Sequence, residues 1–286
     1  MPDVVHSICQ MYADDSKLFS EVNDDSSKRK LQADLENIME WAEKWQMRFN
    51  ADKCHVVHLG SNNPNFSYYM RNEDGTEDIE LTTSTVEKDL GVQVDDKLTF
   101  SKHIECQVNK ANRLVGLIRR SFSYMDKETM RQLFTALVRP HLEFANVIWA
   151  PRLKKDIKLI EKVQRRATKY IPGLKGLKYE ERLKEMKLPS LSYRRKRGDL
   201  IEAYKLTHGH YAINKNLLKL DKTSRTRGHM YKIEKQYCKL SVRQNFFSVR
   251  VENQWNDLPA SVVEAPSINA FKERLDKYLE NEMFIE

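Results

Sequence analysis

The chain has 286 residues, of which 40% are hydrophobic and 31% charged, and this balance favours folded domains over disorder. The length allows one to three domains. No stretch approaches the roughly 20 apolar residues that cross a bilayer, and no basic segment followed by an apolar run begins the chain. We therefore expect an intracellular protein, in the nucleus or cytoplasm, that is neither secreted nor bound to a membrane.

The net charge of +8 is unevenly distributed. Residues 1–100 contain 10 Lys and Arg against 20 Asp and Glu, a net −10, whereas residues 101–286 contain 39 against 21, a net +18. A basic half suits a polyanion such as nucleic acid. A solvated helical surface rich in Lys and Arg explains the same charge equally well.

The first hundred residues predict small sheets with one packed helix. Two short apolar stretches flank Asp14 and Asp15, which predicts a β-hairpin with these two residues at its turn. Apolar residues at helical spacing then predict an amphipathic helix that follows cap residues at Asp24 and Asp25. The predicted elements are strands over 4–12 and 16–22, a helix over about 27–46, strand character over 47–59 interrupted by a turn from Asn50 to Lys53, a hairpin-bearing loop over 60–80 with Asp74-Gly75 as a turn signal, and an alternating strand within 86–100 that contains Gly91 as a bulge or close approach.

The period of the apolar residues becomes helical from Ser101 onward. The basic segment 209–250 gives no clear assignment. The predicted helices cover about 104–118, 130–138 with an end near Pro140, 157–170 with a stop at Pro172-Gly173, 179–187, 190–208, and 267–279 with Ser267 as its cap.

The tetrapeptide Tyr12-Ala13-Asp14-Asp15 carries the main chemical signal. Adjacent carboxylates at a hairpin tip repel each other, and a hard divalent cation such as Mg2+ offsets that repulsion. Nucleotidyl transfer uses two such ions, one at the attacking hydroxyl and one at the leaving phosphates. The alternative is structural, because Asp is common in turns for local hydrogen-bonding reasons.

The residues around this tetrapeptide resemble a known family. The run from Met11 to Phe19 is similar to the catalytic hairpin of the reverse transcriptases of non-LTR (LINE-type, jockey-like) retrotransposons. Further runs resemble later segments of that family in the same order: Trp41 to Asn50, Lys53 to Gly60, Glu87 to Val92, Val163 to Lys169, Arg250 to Pro259, and Phe271 to Leu275.

This resemblance implies an α+β fold, with the C-terminal part of a palm over 1–100, a helical thumb-like region over 101–190 and a helical basic region over 191–286. It implies RNA-directed DNA polymerisation with two Mg2+ ions, an RNA template with a DNA primer, and deoxynucleoside triphosphates. Asp14 and Asp15 would be the catalytic Mg2+ ligands. The nucleotide and primer side would be formed by Tyr12, Asn50, Lys53, Leu90 and Gly91.

Members of the family have a further metal-binding Asp on an earlier strand, together with fingers that clamp the triphosphate. Only eleven residues precede Tyr12. We therefore expect the isolated chain to be a truncated polymerase that is inactive by itself.

Basic side chains supply the predicted nucleic-acid contacts. The run Arg194-Arg195-Lys196-Arg197 is the densest, and it predicts either phosphate contact or the solvated start of a helix. The same reasoning applies to Arg119, Arg120, Arg165 and Arg166. Two other functions stay open: a non-catalytic nucleic-acid-binding relic of the transposon protein, and a helical protein-interaction module. Binding to phosphate weakens steeply with salt, which separates these two.

Overall fold

The computed structural model describes residues 2–72, 75–211, 217–221 and 228–285. The chain divides into two compact units, Met1–Leu98 and Thr99–Glu286. The first unit combines small sheets with one long helix and the second is helical, which agrees with an α+β fold. That these units are a palm and a thumb stays a prediction. Within the described ranges, no helix has both the length and the apolar content that a membrane crossing requires.

In its described residues, the first unit contains four two-stranded sheets and one α-helix. Three of the sheets are antiparallel hairpins, and the pair β3–β6 is parallel. The elements are β1 (Ile8–Tyr12), β2 (Asp15–Phe19), α1 (Asp25–Lys44), a 3-10 turn (Ala51–Lys53), β3 (His55–Val56), β4 (Tyr69–Arg71), β5 (Asp78–Glu80), β6 (Thr82–Thr83), β7 (Val86–Asp89) and β8 (Val92–Asp95), with a further 3-10 turn at Pro2–Val4.

Helix α1 begins where its sequence offers a cap. The side chain of Asp24 accepts a hydrogen bond from the Ser27 amide, and Ser27 accepts one from the amide of Asp24, which is a capping box. One face of α1 packs on the β4–β5 hairpin in a small core. The fully buried members of that core are Ala51, Tyr68, Met70 and Leu81.

The chain before β1 is attached to helix α1 by one buried carboxylate. Asp34 is 1% exposed, and its two oxygens accept the amides of His6 at 2.9 Å and Ser7 at 2.8 Å. Burial by itself raises the pKa of Asp34, but the hydrogen bonds from Ser7 and His6 outweigh it and lower that pKa below its usual value. Asp34 therefore fixes where the β1–β2 hairpin leaves the body of the unit.

The hairpin around Asp14-Asp15 and the helix after it are confirmed. The hairpin predicted within 60–80 is confirmed as β4–β5, although Asp74 lies outside the described residues. Two strand predictions are wrong. The turn predicted at 50–53 is confirmed as the 3-10 turn that Asn50 caps, but the strand character predicted around it is limited to the two-residue strand β3. The strand predicted within 86–100 is a hairpin, since Leu90 and Gly91 have positive φ and reverse the chain between β7 and β8.

The described part of the second unit is built from helices. Helix α2 packs against α6, and α8 packs against α13. The helices are α2 (Ser101–Ser121), α3 (Lys127–Leu133), a π-helical turn (Phe134–Val138), α4 (Arg139–Glu143), α5 (Asn146–Trp149), α6 (Lys154–Thr168), α7 (Tyr179–Met186), α8 (Leu191–Thr207), α9 (Ser241–Gln244), α10 (Phe247–Arg250), α11 (Glu252–Asn256), α12 (Ala260–Val263) and α13 (Ile268–Tyr278), with a 3-10 turn at Glu280–Glu282.

The helix predicted to end near Pro140 continues past it. Pro140 has no amide hydrogen, so it cannot donate the hydrogen bond that a continuing helix would require at its position. The π-helical turn Phe134–Val138 directly before it, where the Arg139 amide donates to the Phe134 carbonyl, widens the helix and accommodates the proline. The other predicted helices are confirmed to within a few residues, including Ser267 as the cap of α13.

The run from Arg250 to Pro259 holds two parts of the second unit together. Trp255 is fully buried, and its indole nitrogen donates to the Tyr231 carbonyl at 2.7 Å. Asn256 accepts the Ile233 amide and donates to the Ile233 carbonyl, both at 2.8 Å. Arg250 forms an ion pair with Asp199 of α8 at 2.8 Å. This run therefore has a structural account that is independent of catalysis.

We expect the substitution Asp34→Asn to loosen the β1–β2 hairpin. An amide offers one acceptor oxygen where the carboxylate offers two, and an unsatisfied buried amide costs about 1–3 kcal/mol. Amide hydrogen exchange over residues 6–12 should accelerate, whereas the exposed Glu40→Gln of the same helix should change nothing.

The same carboxylate gives this anchor a pH dependence. Because the folded pKa of Asp34 is lowered, its contribution is complete above the usual pKa of about 4 and is lost as pH falls through the lower folded value. Exchange at residues 6–12, corrected for intrinsic rates, should therefore rise in acid in the native chain more than in the Asp34→Asn variant. Equal rises would contradict this role for Asp34.

Candidate metal-binding hairpin and nucleic-acid interface

The β1–β2 hairpin presents Asp14 and Asp15 at its tip. Tyr12 pairs with Asp15 across the hairpin, so Ala13 and Asp14 form a two-residue loop. Ala13 has a φ of 53°, which is a conformation that favours glycine, so the turn is held in a strained geometry. Both Asp side chains are exposed, and Tyr12 is 66% exposed.

Alternation along the strands puts Tyr12, Asp15 and Lys17 on one face of this hairpin, because side chains two residues apart and cross-strand partners share a face. The ammonium group of Lys17 forms an ion pair with Asp89, at the end of β7. Two segments that are more than seventy residues apart in the chain therefore meet on the face that carries Asp15.

Directly after Asp89 lies the turn Leu90-Gly91, which sequence reasoning assigned to the primer side. Leu90 has a φ of 44° and Gly91 a φ of 88°, a two-residue hairpin turn for which Asn-Gly is the usual sequence. The left-handed conformation costs a residue such as Leu roughly 1–2 kcal/mol. The Leu90 side chain is 50% exposed, so the free energy gained by burying it offsets only part of this cost.

Asn50 and Lys53 lie on a separate turn, between α1 and β3. The Asn50 side chain accepts the Lys53 amide at 3.2 Å and so caps the 3-10 turn Ala51–Lys53. Lys53 is exposed. Asn50 thus has a structural role, and the nucleotide-side assignment of both residues stays a prediction.

The donor set at the hairpin tip fits the protein share of a magnesium site. In sites that act on phosphates, one or two carboxylates bind Mg2+ together with substrate oxygens and water. Asp14 and Asp15 supply two hard, exposed carboxylates. Among the residues that the structure describes, no three His, Cys, Asp or Glu side chains are grouped so as to hold a metal ion.

Helix α6 presents a face of one charge sign. Its two acidic residues point inward: Asp156 is 3% exposed and accepts the Ser101 hydroxyl at 2.6 Å, and Glu161 is fully buried against the Tyr179 hydroxyl. Burial, followed by the nearby Glu161 carboxylate, raises the pKa of Tyr179, so this hydroxyl remains a donor. The exposed cations of α6 are Lys154, Lys155, Lys158, Lys162 and Arg166.

Helix α8 uses its basic run inside the protein. Arg194 forms an ion pair with Glu143, Lys196 with Glu282 and Arg197 with Asp276. Arg195 is only 8% exposed. Burial lowers the pKa of Arg195, and the Glu161, Glu143 and Asp199 carboxylates oppose that effect. Cations that are neutralised in this way attract phosphate weakly. These ion pairs therefore argue against phosphate binding by this run, and that role stays a prediction.

The remaining predicted arginines lie on α2 and α6. Arg119, Arg120 and Arg166 are exposed and Arg165 is half-buried. The guanidinium groups of Arg119 and Arg166 lie 4.7 Å and 5.9 Å from the Tyr170 ring centre, and Arg165 lies 4.2 Å from that of Tyr179. These three stack on aromatic rings and still present charge at or near the surface.

Sequence reasoning missed two features of these sites. Lys17 and Asp89 were not assigned any role, because an ion pair across distant segments leaves no local signal. Lys158 and Lys162 were also passed over, although they follow Lys154 at intervals of four residues, a spacing that puts all three on one side of a helix.

Comparisons with known proteins give two partial relatives. The chain is 29% identical over 110 residues to an uncharacterized protein of Caenorhabditis elegans, which is 37% of this chain and 56% of that protein. It is 25% identical over 142 residues to a probable RNA-directed DNA polymerase from transposon X-element of Drosophila melanogaster, which is 47% of this chain and 14% of that protein.

No protein-family model matches the chain, and no solved structure matches it either. The similarity to the Drosophila protein is weak and partial, and it supports a link to mobile elements without fixing a function.

We expect Leu90→Asn to stabilise the β7–β8 hairpin, since Asn tolerates positive φ better than Leu does. A gain of about 1 kcal/mol corresponds to roughly fivefold slower amide exchange over residues 86–95. Leu90→Ala keeps the strained backbone and should give no such gain. Exchange that is equally fast in the native chain and in Leu90→Asn would show that this turn stores no strain.

Proposed function

We propose that this chain takes part in RNA-directed DNA polymerisation by a mobile element, with Asp14 and Asp15 as ligands of the catalytic Mg2+ and with an RNA/DNA hybrid as its nucleic-acid partner. The observation that carries the proposal is the Lys17–Asp89 ion pair, which brings the turn Leu90-Gly91 to the face of the hairpin that bears Asp15. The Drosophila relative supports it, although the chain spans 14% of that protein, so activity of a complete polymerase is itself part of the proposal.

In this function, each group at the hairpin has a simple task. Asp14 and Asp15 would hold Mg2+, which supplies charge stabilisation at the attacking hydroxyl and the leaving phosphates. The pairing of Tyr12 with Asp15 puts the two carboxylates next to each other at the tip. Lys17 neutralises Asp89, so that a third negative charge does not add to the repulsion of phosphates there.

The hybrid partner is supported by helix α6. A helical rise of 1.5 Å per residue puts Lys158 and Lys162 about 6 Å apart along the helix axis. Cations in a row with no exposed carboxylate among them suit a phosphate backbone, whose contacts with Lys and Arg release counterions. A non-catalytic nucleic-acid-binding relic would use this same face without the hairpin.

If the hairpin binds Mg2+, removal of its two carboxylates should change hybrid affinity in opposite directions with and without the metal. In EDTA, Asp14→Asn with Asp15→Asn should tighten binding of a blunt RNA/DNA hybrid, because two negative charges that repel phosphate are gone. With Mg2+ present, the same variant should bind the hybrid more weakly than the native chain, because the ion that bridges protein and phosphate is lost.

The matched control is Asp78→Asn with Glu80→Gln, which removes two exposed carboxylates from strand β5. Fluorescence anisotropy of a labelled hybrid measures both conditions. A double Asp14/Asp15 variant that binds more tightly with and without Mg2+, as the control does, would overturn the metal role. Primer extension on an RNA template is the companion assay, and incorporation abolished by Asp14→Ala would make the 286-residue chain a complete enzyme.

The α6 face predicts a change in salt dependence. Lys158→Gln with Lys162→Gln should weaken hybrid binding and lower the slope of log K against log salt by about two, one for each phosphate contact removed. Lys196→Gln should leave the slope unchanged, since Glu282 already pairs with that lysine. Equal slopes in all three proteins would reject this face, and binding that ignores salt would favour the protein-interaction module.

A further inference from the structure

The segment that sequence reasoning left unassigned is strongly basic. Residues 209–250 contain ten Lys and Arg against two acidic residues, Asp221 and Glu234, a net +8 that equals the net charge of the whole chain. Exposed aromatic and apolar side chains are interspersed with these cations. Tyr237 is 88% exposed, Met230 75% and Phe246 47%. The segment belongs neither to the β1–β2 hairpin nor to the exposed face of α6.

The described part of this segment forms a cavity of about 300 Å³. Leu220 and Ile233 form an antiparallel bridge, and the Glu234 amide donates to the Lys219 carbonyl at 2.8 Å, so Lys219 and Glu234 lie side by side at the cavity wall. Helices α9 and α10 contribute Arg243 and Ser248, and Phe246 lies between these two helices.

Flat groups line one side of the cavity. The Arg243 guanidinium lies 4.9 Å from the centre of the Phe246 ring, and it donates to the Gln236 side chain at 2.9 Å, which fixes its orientation. Rings and guanidinium planes stack on nucleobases, and every base has a π face to offer. The Phe246 ring is therefore a stacking surface that is already held next to a cation.

The charges of the cavity decide what enters it. Glu234 and Gln236 line the wall together with Lys219 and Arg243, so the interior is mixed in sign and is poorly suited to a phosphate or a carboxylate. A neutral, planar group with hydrogen-bond donors fits this lining better. The net positive charge of the surrounding segment then suits phosphates at the rim.

We propose that this cavity binds one unpaired base of a single-stranded nucleic acid, with the base stacked on Phe246 and the neighbouring phosphates on exposed cations of the same segment such as Lys235 and Lys239. The site is separate from the hairpin and the α6 face, and it does not require polymerisation. It gives the chain a preference for a single strand that phosphate contacts alone do not provide.

Phe246 tests the stacking step. We would measure binding of a labelled single-stranded RNA oligonucleotide by fluorescence anisotropy, with a 2-aminopurine base as a direct reporter of stacking. Phe246→Ala and Phe246→Leu should each weaken binding at least fivefold and restore the 2-aminopurine fluorescence that stacking quenches, because Leu keeps apolar volume without a ring face. Phe246→Trp should retain both signals. Tyr124→Ala, which removes an aromatic ring that is 72% exposed elsewhere, should change neither.

An abasic oligonucleotide of equal length is the matched ligand, since it keeps every phosphate and removes the bases. The native chain should bind it as weakly as Phe246→Ala binds the normal oligonucleotide, and Phe246→Ala should cause no further loss. Lys235→Gln, by contrast, should weaken binding of both oligonucleotides by the same factor. Equal affinity of the native chain for normal and abasic oligonucleotides would overturn the proposal, as would a Phe246→Ala variant that behaves like Tyr124→Ala.

A blunt RNA/DNA hybrid separates this site from the proposed function. Phe246→Ala should bind the hybrid as the native chain does, because the hybrid offers no unpaired base. Loss of hybrid binding in Phe246→Ala to the same extent as single-strand binding would also reject the base site. The α6 variant with normal hybrid binding would reject the hybrid face and leave the base site intact.

Discussion

Carboxylates that pair with arginine control where positive charge is available in the helical unit; one of them, Asp199, is buried, and two are partly buried. Asp199 is paired with Arg250, Glu143 with Arg194, and Asp276 with Arg197. Burial raises the pKa of Asp199, and the hydrogen bonds and charge of Arg250 oppose that rise. Taking a charge out of water is tolerated only with such a partner, and removal of one partner from a buried pair typically costs about 3–5 kcal/mol. These pairs therefore fix the packing of α8 and leave other surfaces to meet a polyanion.

The consequence is a distinction between cations that hold the fold and cations that face solvent. The linear sequence does not display this distinction, since the run at 194–197 is the densest in the chain and yet is largely neutralised by carboxylates from α4, α13 and the C-terminal 3-10 turn. On α6 the two acids are turned inward and the cations outward. The density of basic residues along a chain is thus a poor guide to a binding face. Whether acidic side chains lie on the same surface as the cations is a better one.

The fold was predictable where periodicity and caps are strong. Helix α1 with Asp24 as cap, helix α13 with Ser267 as cap, and the hairpin at Asp14-Asp15 all follow local rules. Predictions failed where a turn uses an unusual residue. Leu90 takes a left-handed conformation that its side chain disfavours, and Pro140 is accommodated after a π-helical turn, so neither residue marks the boundary that its type indicates.

The candidate site was predictable only in part for a related reason. Asp14 and Asp15 are visible as a motif because they are adjacent in sequence. Their neighbour at Asp89 is visible only in space, through Lys17. Asn50 shows the opposite case, since a residue that the family resemblance assigned to the nucleotide has a sufficient local task as a cap. A motif therefore identifies candidate site residues. The structure then shows which distant residues contact them, and which of them already have a structural role.

Strands β3 and β6 form the shortest of the four strand pairs described in the first unit. Each strand has two residues, and the pair closes a loop that contains the whole β4–β5 hairpin. The entropy lost in closing this loop disfavours the pair, and a pair this short makes few hydrogen bonds to compensate. A long-range contact of this kind forms after the local hairpins in folding, and we expect it to open more readily than they do. It connects the segment after the turn at 50–53 to the segment that leads into β7. Opening of this pair would let the turn at 50–53 and the turn Leu90-Gly91 change their separation while each keeps its own hydrogen bonds.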